Sequence, residues 1–230
     1  MSILFDNTHI QWLDYRHDDL LANDDINVFK INCSVYSRIE ENLTAILTKA
    51  EVEKKNRFFK KADAVRFALG KYFLRKILGE QVNSSPKSIH FLLTETNKPY
   101  LSEINFNISH SGDYVAIAIS KKVMGIDVEL IRNNFDYSSI AMVCFTADER
   151  ALITNIKDFY TLWTRKEAVL KASGEGIVDN LHDIECIKPY VQWQKNHYQL
   201  KSYLIDDGHL LSLAYTESAQ NFQFWNLDLY

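Results

Sequence analysis

Hydrophobic and polar positions repeat with different periods along the chain, and each change of period marks an element. Ala62, Val65, Leu69, Phe73 and Ile77 recur at steps of three and four. That spacing lines one helix face and predicts an amphipathic helix over 61–78, stopped near Gly79. A second helical segment covers 158–172. Tyr114 to Ser120 is an unbroken apolar run and predicts a strand buried on both faces. Lys121-Lys122 reads as its turn into a further strand, Met124-Gly125-Ile126-Asp127-Val128-Glu129. Residues two apart on a strand share a face, so Asp127 and Glu129 project together and Ile126, Val128 and Leu130 point away. The polar segment Asn107-Ile108-Ser109-His110-Ser111-Gly112 is expected to be a loop. It would enter the first arm of a hairpin whose second arm holds the two acids.

Other strands are predicted at Ile3 to Phe5, His9 to Leu13 and Asp25 to Ile31. Tyr198 to Ile205 and Gly208 to Thr216 form a hairpin turning at Asp206-Asp207-Gly208, and Phe222 to Tyr230 is a final strand. The stretch from Gly112 to Ile119 is echoed from Gly208 to Tyr215, each after a helical segment. The chain therefore reads as two related halves with a packed joint near 111–122, where a ligand site belongs.

Composition narrows the choices. A chain of 230 residues, 47% hydrophobic and 24% charged, with 7 Gly and 3 Pro, can bury a sizeable core. Cys33, Cys144 and Cys186 have no metal-ligand spacing, which suits free thiols in a reducing cytoplasm. The first residues lack the pattern of a signal peptide, and no apolar run is long enough to span a membrane. Net charge is −4, yet Lys54, Lys55, Arg57, Lys60, Lys61, Arg66, Lys71, Arg75 and Lys76 crowd into 54–76 against the single acid Asp63. Such a cluster attracts anions. Nucleic acid is the second candidate partner; against it, the cluster is short, the whole chain is acidic and no nucleic-acid motif accompanies it. A small polyphosphate fits the same charge.

Candidate chemistry sits in the two acid-bearing segments. In a helix over Trp163 to Lys171, residues four apart stack on one side, placing Glu167 beside Lys171. Alone, alternating acids on a strand are commonly its solvent face. A strand-to-helix contact would instead join Asp127, Glu129, Glu167 and Lys171 in one site. Three oxygen donors suit Mg²⁺, with Mn²⁺ as a substitute, and the ammonium adds the charge that phosphoryl chemistry wants. The hydroxyls, imidazole and backbone N–H groups around Ser109-His110-Ser111 suit phosphate.

Together, Phe-Asn-Ile-Ser-His-Ser-Gly from Phe106, Gly-Ile-Asp-Val-Glu from Gly125 and Trp-Thr-x-Lys-Glu-Ala-x-x-Lys from Trp163 resemble the 4′-phosphopantetheinyl transferases. Within that family the resemblance is to the larger monomeric, two-subdomain, surfactin-synthetase-activating type. It extends over 51–177 through Arg57-Phe58-Phe59, Asp63-Ala64, Arg66, Gly70, Arg75 and Lys98-Pro99. It implies an α+β fold of two similar subdomains in pseudo-twofold arrangement. Residues 1–112 would carry the basic helix, and 113–230 the acids and catalytic helix. It also implies transfer of 4′-phosphopantetheine from coenzyme A to a serine of an apo carrier protein, releasing 3′,5′-ADP. A coenzyme A-binding protein without turnover is the alternative.

In that resemblance Asp127, Glu129 and Glu167 hold Mg²⁺ and Lys171 neutralises leaving-group charge. Glu167 is the base that activates the serine, with Asp127 and Glu129 remaining as alternatives. Coenzyme A would meet Lys54, Lys98, Pro99, Ser109, His110, Lys166 and Lys171. Glu51 stands where the family has a second phosphate-contacting lysine. Glu149 resembles a further acid of the family near the metal, and equally completes a capping box with Thr146. The segment Gly174-Glu175-Gly176-Ile177 would face the carrier or simply end the helix. The partners implied are coenzyme A and a carrier protein, with no nucleic acid and no membrane, acting on a cytoplasmic monomer.

Overall fold

The computed structural model describes residues 10–16, 25–96, 98–102, 104–176, 180–216 and 221–230. The first part of the chain contains β1 (Leu13–Asp14), β2 (Ile26–Asn32), α1 (Tyr36–Ile39), α2 (Leu43–Ile46), α3 (Lys49–Asn56) and α4 (Lys61–Gln81). Then come β3 (Leu92–Leu93), β4 (Pro99–Tyr100), β5 (Asn105–Ser111), β6 (Tyr114–Ser120) and β7 (Met124–Leu130). The remainder is α5 (Ser138–Cys144), α6 (Ala147–Leu152), α7 (Ile156–Ser173), β8 (Tyr190–Trp193), β9 (Asn196–Asp206), β10 (His209–Thr216) and β11 (Phe222–Asn226). The fold is α+β. Among the described residues no helix is long and apolar enough to cross a membrane.

Two main sheets lie between two long helices. One has the order β1-β11-β2-β6-β5 and the other β7-β10-β9-β8, while β3 and β4 pair separately. Strand alternation divides the side chains among three cores. Phe29, Ile31, Val115, Ile117 and Ile119 pack with Leu69, Phe73 and Ile77 of α4. Val28, Ala116 and Ala118 face the second sheet through Ile126, Val128, Leu211 and Leu213. Leu200, Leu210 and Ala214 pack with Ala168, Val169 and Ala172 of α7. β6 is therefore covered on both faces, which accounts for its unbroken apolar run.

The helices at 61–78 and 158–172 and the hairpin β9–β10 stand where their periodicities predict. α4 continues past Gly79 to Gln81. Gly79 instead admits the following turn, since a Cβ there would lie 2.8 Å from the Ser84 carbonyl oxygen. The predicted strand at Ile3 to Phe5 lies outside the described residues, as do His9 and Ile177.

Two local expectations are corrected. The Asn-Ile-Ser-His-Ser segment is a strand, β5, paired antiparallel to β6 through the turn at Gly112-Asp113. β6 and β7 are not the arms of one hairpin, because β6 pairs with β2 and β5 whereas β7 pairs with β10. The cause lies in β5 itself. Asn107 Oδ1, Ser109 Oγ and Ser111 Oγ accept the backbone N–H groups of Ile126, Val128 and Leu130 at 3.0, 3.2 and 3.0 Å. Alternate side chains of β5 thus take the place of a neighbouring strand for the edge of β7 and staple the two sheets together. The polar residues that read as a loop are polar for this reason.

Candidate active site

Gly125 decides how closely α7 approaches β7. A Cβ at this position would lie 2.1 Å from the Ala168 carbonyl oxygen and 2.4 Å from the Ala172 nitrogen. The bare glycine, opposed by two alanines one helical turn apart, lets helix backbone meet strand backbone. That contact brings Lys171 over Asp127, with Nζ 2.7 Å from Oδ1. Lys171 also donates to Ser109 Oγ at 2.9 Å, and Ser109 donates to the same Asp127 oxygen at 2.8 Å. Ser111 Oγ donates to Glu129 Oε2 at 2.6 Å. Each serine therefore takes a β7 N–H with its lone pair and gives its proton to the neighbouring carboxylate.

Burial raises the carboxyl pKa of Glu167 above the usual range, and the charges of Asp127 and Glu129 raise it further. Glu129 is raised by burial and by Asp127, against Ser111, Lys171 and Arg132, which lower it. Glu129 and Glu167 thus both feel the charge of Asp127, and Lys171 acts on both in the opposite sense. Asp127 Oδ2 is buried without a hydrogen-bond partner. Among the described residues, however, no three His, Cys, Asp or Glu side chains are gathered in a group able to hold a metal ion. The donor chemistry fits a hard cation, since an orphaned carboxylate oxygen and mutually repelling acids are both relieved by positive charge.

Beside this junction lies a cavity of about 270 Å³ lined by Arg66, Phe67, Gly70, Lys71, Lys98, Pro99, Phe106, Asn107, Ile108 and His110. Its lining holds the cations Arg66 and Lys71 and no acid, so its field favours anions. On α4, Arg66 with Gly70 and Phe67 with Lys71 are one turn apart and share a face. Gly70 seats that face on β5, where a Cβ would be 3.2 Å from Ile108 Cγ2. Strand alternation turns Ser109 toward the acids and His110 toward the cavity. The imidazole pKa is lowered, chiefly by desolvation and further by the Arg66 and Lys171 cations. Lys71 is lowered chiefly by burial, with Arg75 and Lys54 adding to it against Glu51.

Lys98, Pro99 and His110 are thus brought together at the cavity, and Ser109 and Lys171 at the acids. Lys54 is exposed outside the lining, its Nζ 5.2 Å from the ring of Phe67, which does line it. Lys166, expected to meet coenzyme A, does not: it is fully buried, 2.8 Å from Glu149 Oε2. The reason is helical phase. Residues adjacent on a helix do not share a face, so with Glu167 toward the acids Lys166 turns inward beneath α6. Glu149 completes the capping box with Thr146 and accepts the Cys186 N–H at 2.8 Å, which engages it away from Asp127. Glu51 closes a capping box with Thr48 and pairs with Arg75 Nε at 2.8 Å.

Sequence reasoning missed the separate part played by Ser111 and did not single out Lys71 or Phe67 for the cavity. The Asn-x-Ser-x-Ser alternation and the one-turn spacings on α4 were the available signals. Glu175 accepts hydrogen bonds from Trp193 Nε1 and Gln194 Nε2, tying the loop after α7 to the β8–β9 turn.

Residues 37–122 match the model for 4′-phosphopantetheinyl transferase, N-terminal, and residues 123–214 match the 4′-phosphopantetheinyl transferase superfamily. The two matches meet between β6 and β7, where the chain passes from one main sheet to the other. The chain is 31% identical over 187 residues to the 4′-phosphopantetheinyl transferase HetI of Nostoc sp., covering 76% of this chain and 78% of that protein. It is 29% identical over 190 residues to the 4′-phosphopantetheinyl transferase Sfp of Bacillus subtilis, covering 76% and 84%. The human L-aminoadipate-semialdehyde dehydrogenase-phosphopantetheinyl transferase is 28% identical over 157 residues, covering 59% and 50%. The chain belongs to the 4′-phosphopantetheinyl transferase family.

Proposed function

We propose that the junction of β7 and α7 is the transfer site and that the basic cavity beside it receives the nucleotide end of coenzyme A. As a 4′-phosphopantetheinyl transferase, the protein moves the phosphopantetheine group from coenzyme A to a carrier protein. Binding without turnover is not favoured, since it gives no reason for acids and a lysine to be locked beside the cavity. The observation that carries the reading is the Lys171–Asp127–Ser109 contact, one residue along β5 from His110 at the cavity wall. In this division the chain before Gly112 supplies the cavity and the chain after it supplies the acids.

The carrier serine attacks the phosphorus that bears pantetheine, forming the new O–P bond as the bond to 3′,5′-ADP breaks. Lys171 stands where it can meet charge developing on the leaving phosphate, a contribution larger in the transition state than in the ground state. Glu167, with its raised pKa, is the base that takes the serine proton. Asp127, Glu129 and Glu167 would hold Mg²⁺ or Mn²⁺, which supplies charge neutralisation on the pyrophosphate. His110, Lys71 and Arg66 would hold phosphate at the cavity, with Lys54 at its outer rim. The cavity has room for part of coenzyme A, so the pantetheine arm would leave it toward Lys171. The free thiols Cys33, Cys144 and Cys186 suit a reducing cytoplasm, and a monomer suffices because one chain supplies both cavity and acids.

The test is transfer to an apo carrier with coenzyme A, with chelator and with Mg²⁺ restored, alongside calorimetric titration of Mg²⁺ into the free protein. Chelator should abolish transfer and Mg²⁺ should restore it. Full transfer in chelator would remove the metal from the account.

A further inference from the structure

Lys98 lines the cavity, yet its ammonium is engaged elsewhere. A tight turn presents it: Thr94 N–H donates to the Lys98 carbonyl at 2.9 Å, and Lys98 N–H donates to Thr94 Oγ1 at 3.0 Å. From there the side chain crosses to the end of α7, where Nζ donates to the carbonyls of Lys171 at 2.6 Å and Ala172 at 3.2 Å. The last carbonyls of a helix lack partners within it, and a cation there is also favoured by the negative end of the helix dipole. Gly174 caps this end with φ of 80°. A Cβ on it would come within 3.2 Å of Lys98 Cδ, so glycine leaves room for the lysine stem across the helix end. Burial holds the amine down to about 8, and its hydrogen bonds run to those two carbonyls.

We infer that Lys98 is a positioning residue: its side chain is a strut from the cavity wall to the last turn of α7, fixing the backbone from which Lys171 reaches Asp127. A ligand filling the cavity presses on the stem of the residue that holds the Lys171 carbonyl. Occupancy of the cavity and the alignment of Lys171 are thereby linked. This rests on reading α7 as the catalytic helix, and it gives Lys98 a different task from direct contact with phosphate.

Lys98→Met keeps the length and apolar stem but removes the donors, whereas Lys98→Arg keeps cationic donors. With apo carrier in excess, Lys98→Met should lower kcat by about tenfold to a hundredfold, the cost of small misplacement at a reacting centre. KM for coenzyme A and the affinity for 3′,5′-ADP should stay near wild type, and Lys98→Arg should recover much of kcat. Hydrogen exchange over 170–174 should speed up in Lys98→Met and return toward wild type in Lys98→Arg. A rise in KM with kcat unchanged would show a ligand contact and overturn the proposal. Unchanged kcat with faster exchange would reduce Lys98 to a helix cap and overturn it too. If wild type transfers nothing, the functional reading fails, while the exchange measurement still reports whether the strut exists.

Discussion

Substituting Gly125→Ala should separate the catalytic helix from its strand while leaving every acid and lysine of the site in the chain. The new Cβ would lie 2.1 Å from the Ala168 carbonyl oxygen, 2.4 Å from the Ala172 nitrogen and 3.0 Å from the Lys171 carbonyl carbon. All three are backbone atoms of α7, so no side chain can swing aside. Ordinary contact begins at 3.4 Å, which requires the helix to retreat by about 1.3 Å. The segment that retreats carries Glu167 and Lys171, and the 2.7 Å contact from Lys171 to Asp127 is stretched or lost. Forced overpacking of a core costs about 1–3 kcal/mol, and misplacing a reacting group by about 1 Å costs roughly a hundredfold in rate. The assay is kcat for transfer to an apo carrier, with thermal melting of the same samples. Gly208→Ala is the control, because a Cβ there meets nothing closer than 3.7 Å. Gly125→Ala with wild-type kcat and melting temperature would refute the claim that this glycine sets the helix-to-strand distance.

Glu167→Gln removes a carboxyl whose folded-state pKa is raised by burial and by Asp127 and Glu129. A carboxyl raised on folding contributes stability that is lost as pH climbs from the ordinary range through the raised value. The metal-free variant should therefore melt above wild type at pH 7, by about 2–4 °C if the relief is near 1 kcal/mol, with the gap closing on acidification; a gap that widens would contradict this. Ser111→Ala strips the 2.6 Å bond from Glu129 and leaves the Leu130 N–H unpaired. It should cost about 1–3 kcal/mol and raise the Mg²⁺ needed for half-maximal transfer about tenfold, while Ser111→Thr stays near wild type; equal loss in both variants would count against the hydroxyl. Lys166→Met removes the buried cation that faces Glu149 inside the fold. It should destabilise by about 3–5 kcal/mol with KM for coenzyme A unchanged; a raised KM at normal stability would return Lys166 to the ligand.

Much of this was legible before the fold was known, in proportion to how locally each feature is encoded. Asp127 and Glu129 share a strand face, and Glu167 and Lys171 share a helix face, by fixed local periods. The closeness of strand to helix was not legible, since only the Ala168 and Ala172 backbone shows what Gly125 admits. Long-range pairing was not legible. Nothing in the 222–226 segment says that it returns to lie parallel between β1 and β2. Nor could Asn107, Ser109 and Ser111 be told from a polar loop without knowing that the edge of β7 needs partners for its N–H groups. The fate of Lys166 and Glu149 was hidden for the same reason: their pairing joins residues on two helices, which neither local pattern contains.

The central claim is that the Asp127–Lys171 junction carries phosphopantetheinyl transfer. The most direct test is the intact mass of an apo carrier protein after incubation with coenzyme A, Mg²⁺ and either wild type or Asp127→Ala, once both proteins are shown to melt cooperatively. Wild type should add the phosphopantetheine mass to the carrier serine and release 3′,5′-ADP. Asp127→Ala should add none on the same timescale. An unmodified carrier with wild type, or equal modification by both proteins, would contradict the claim.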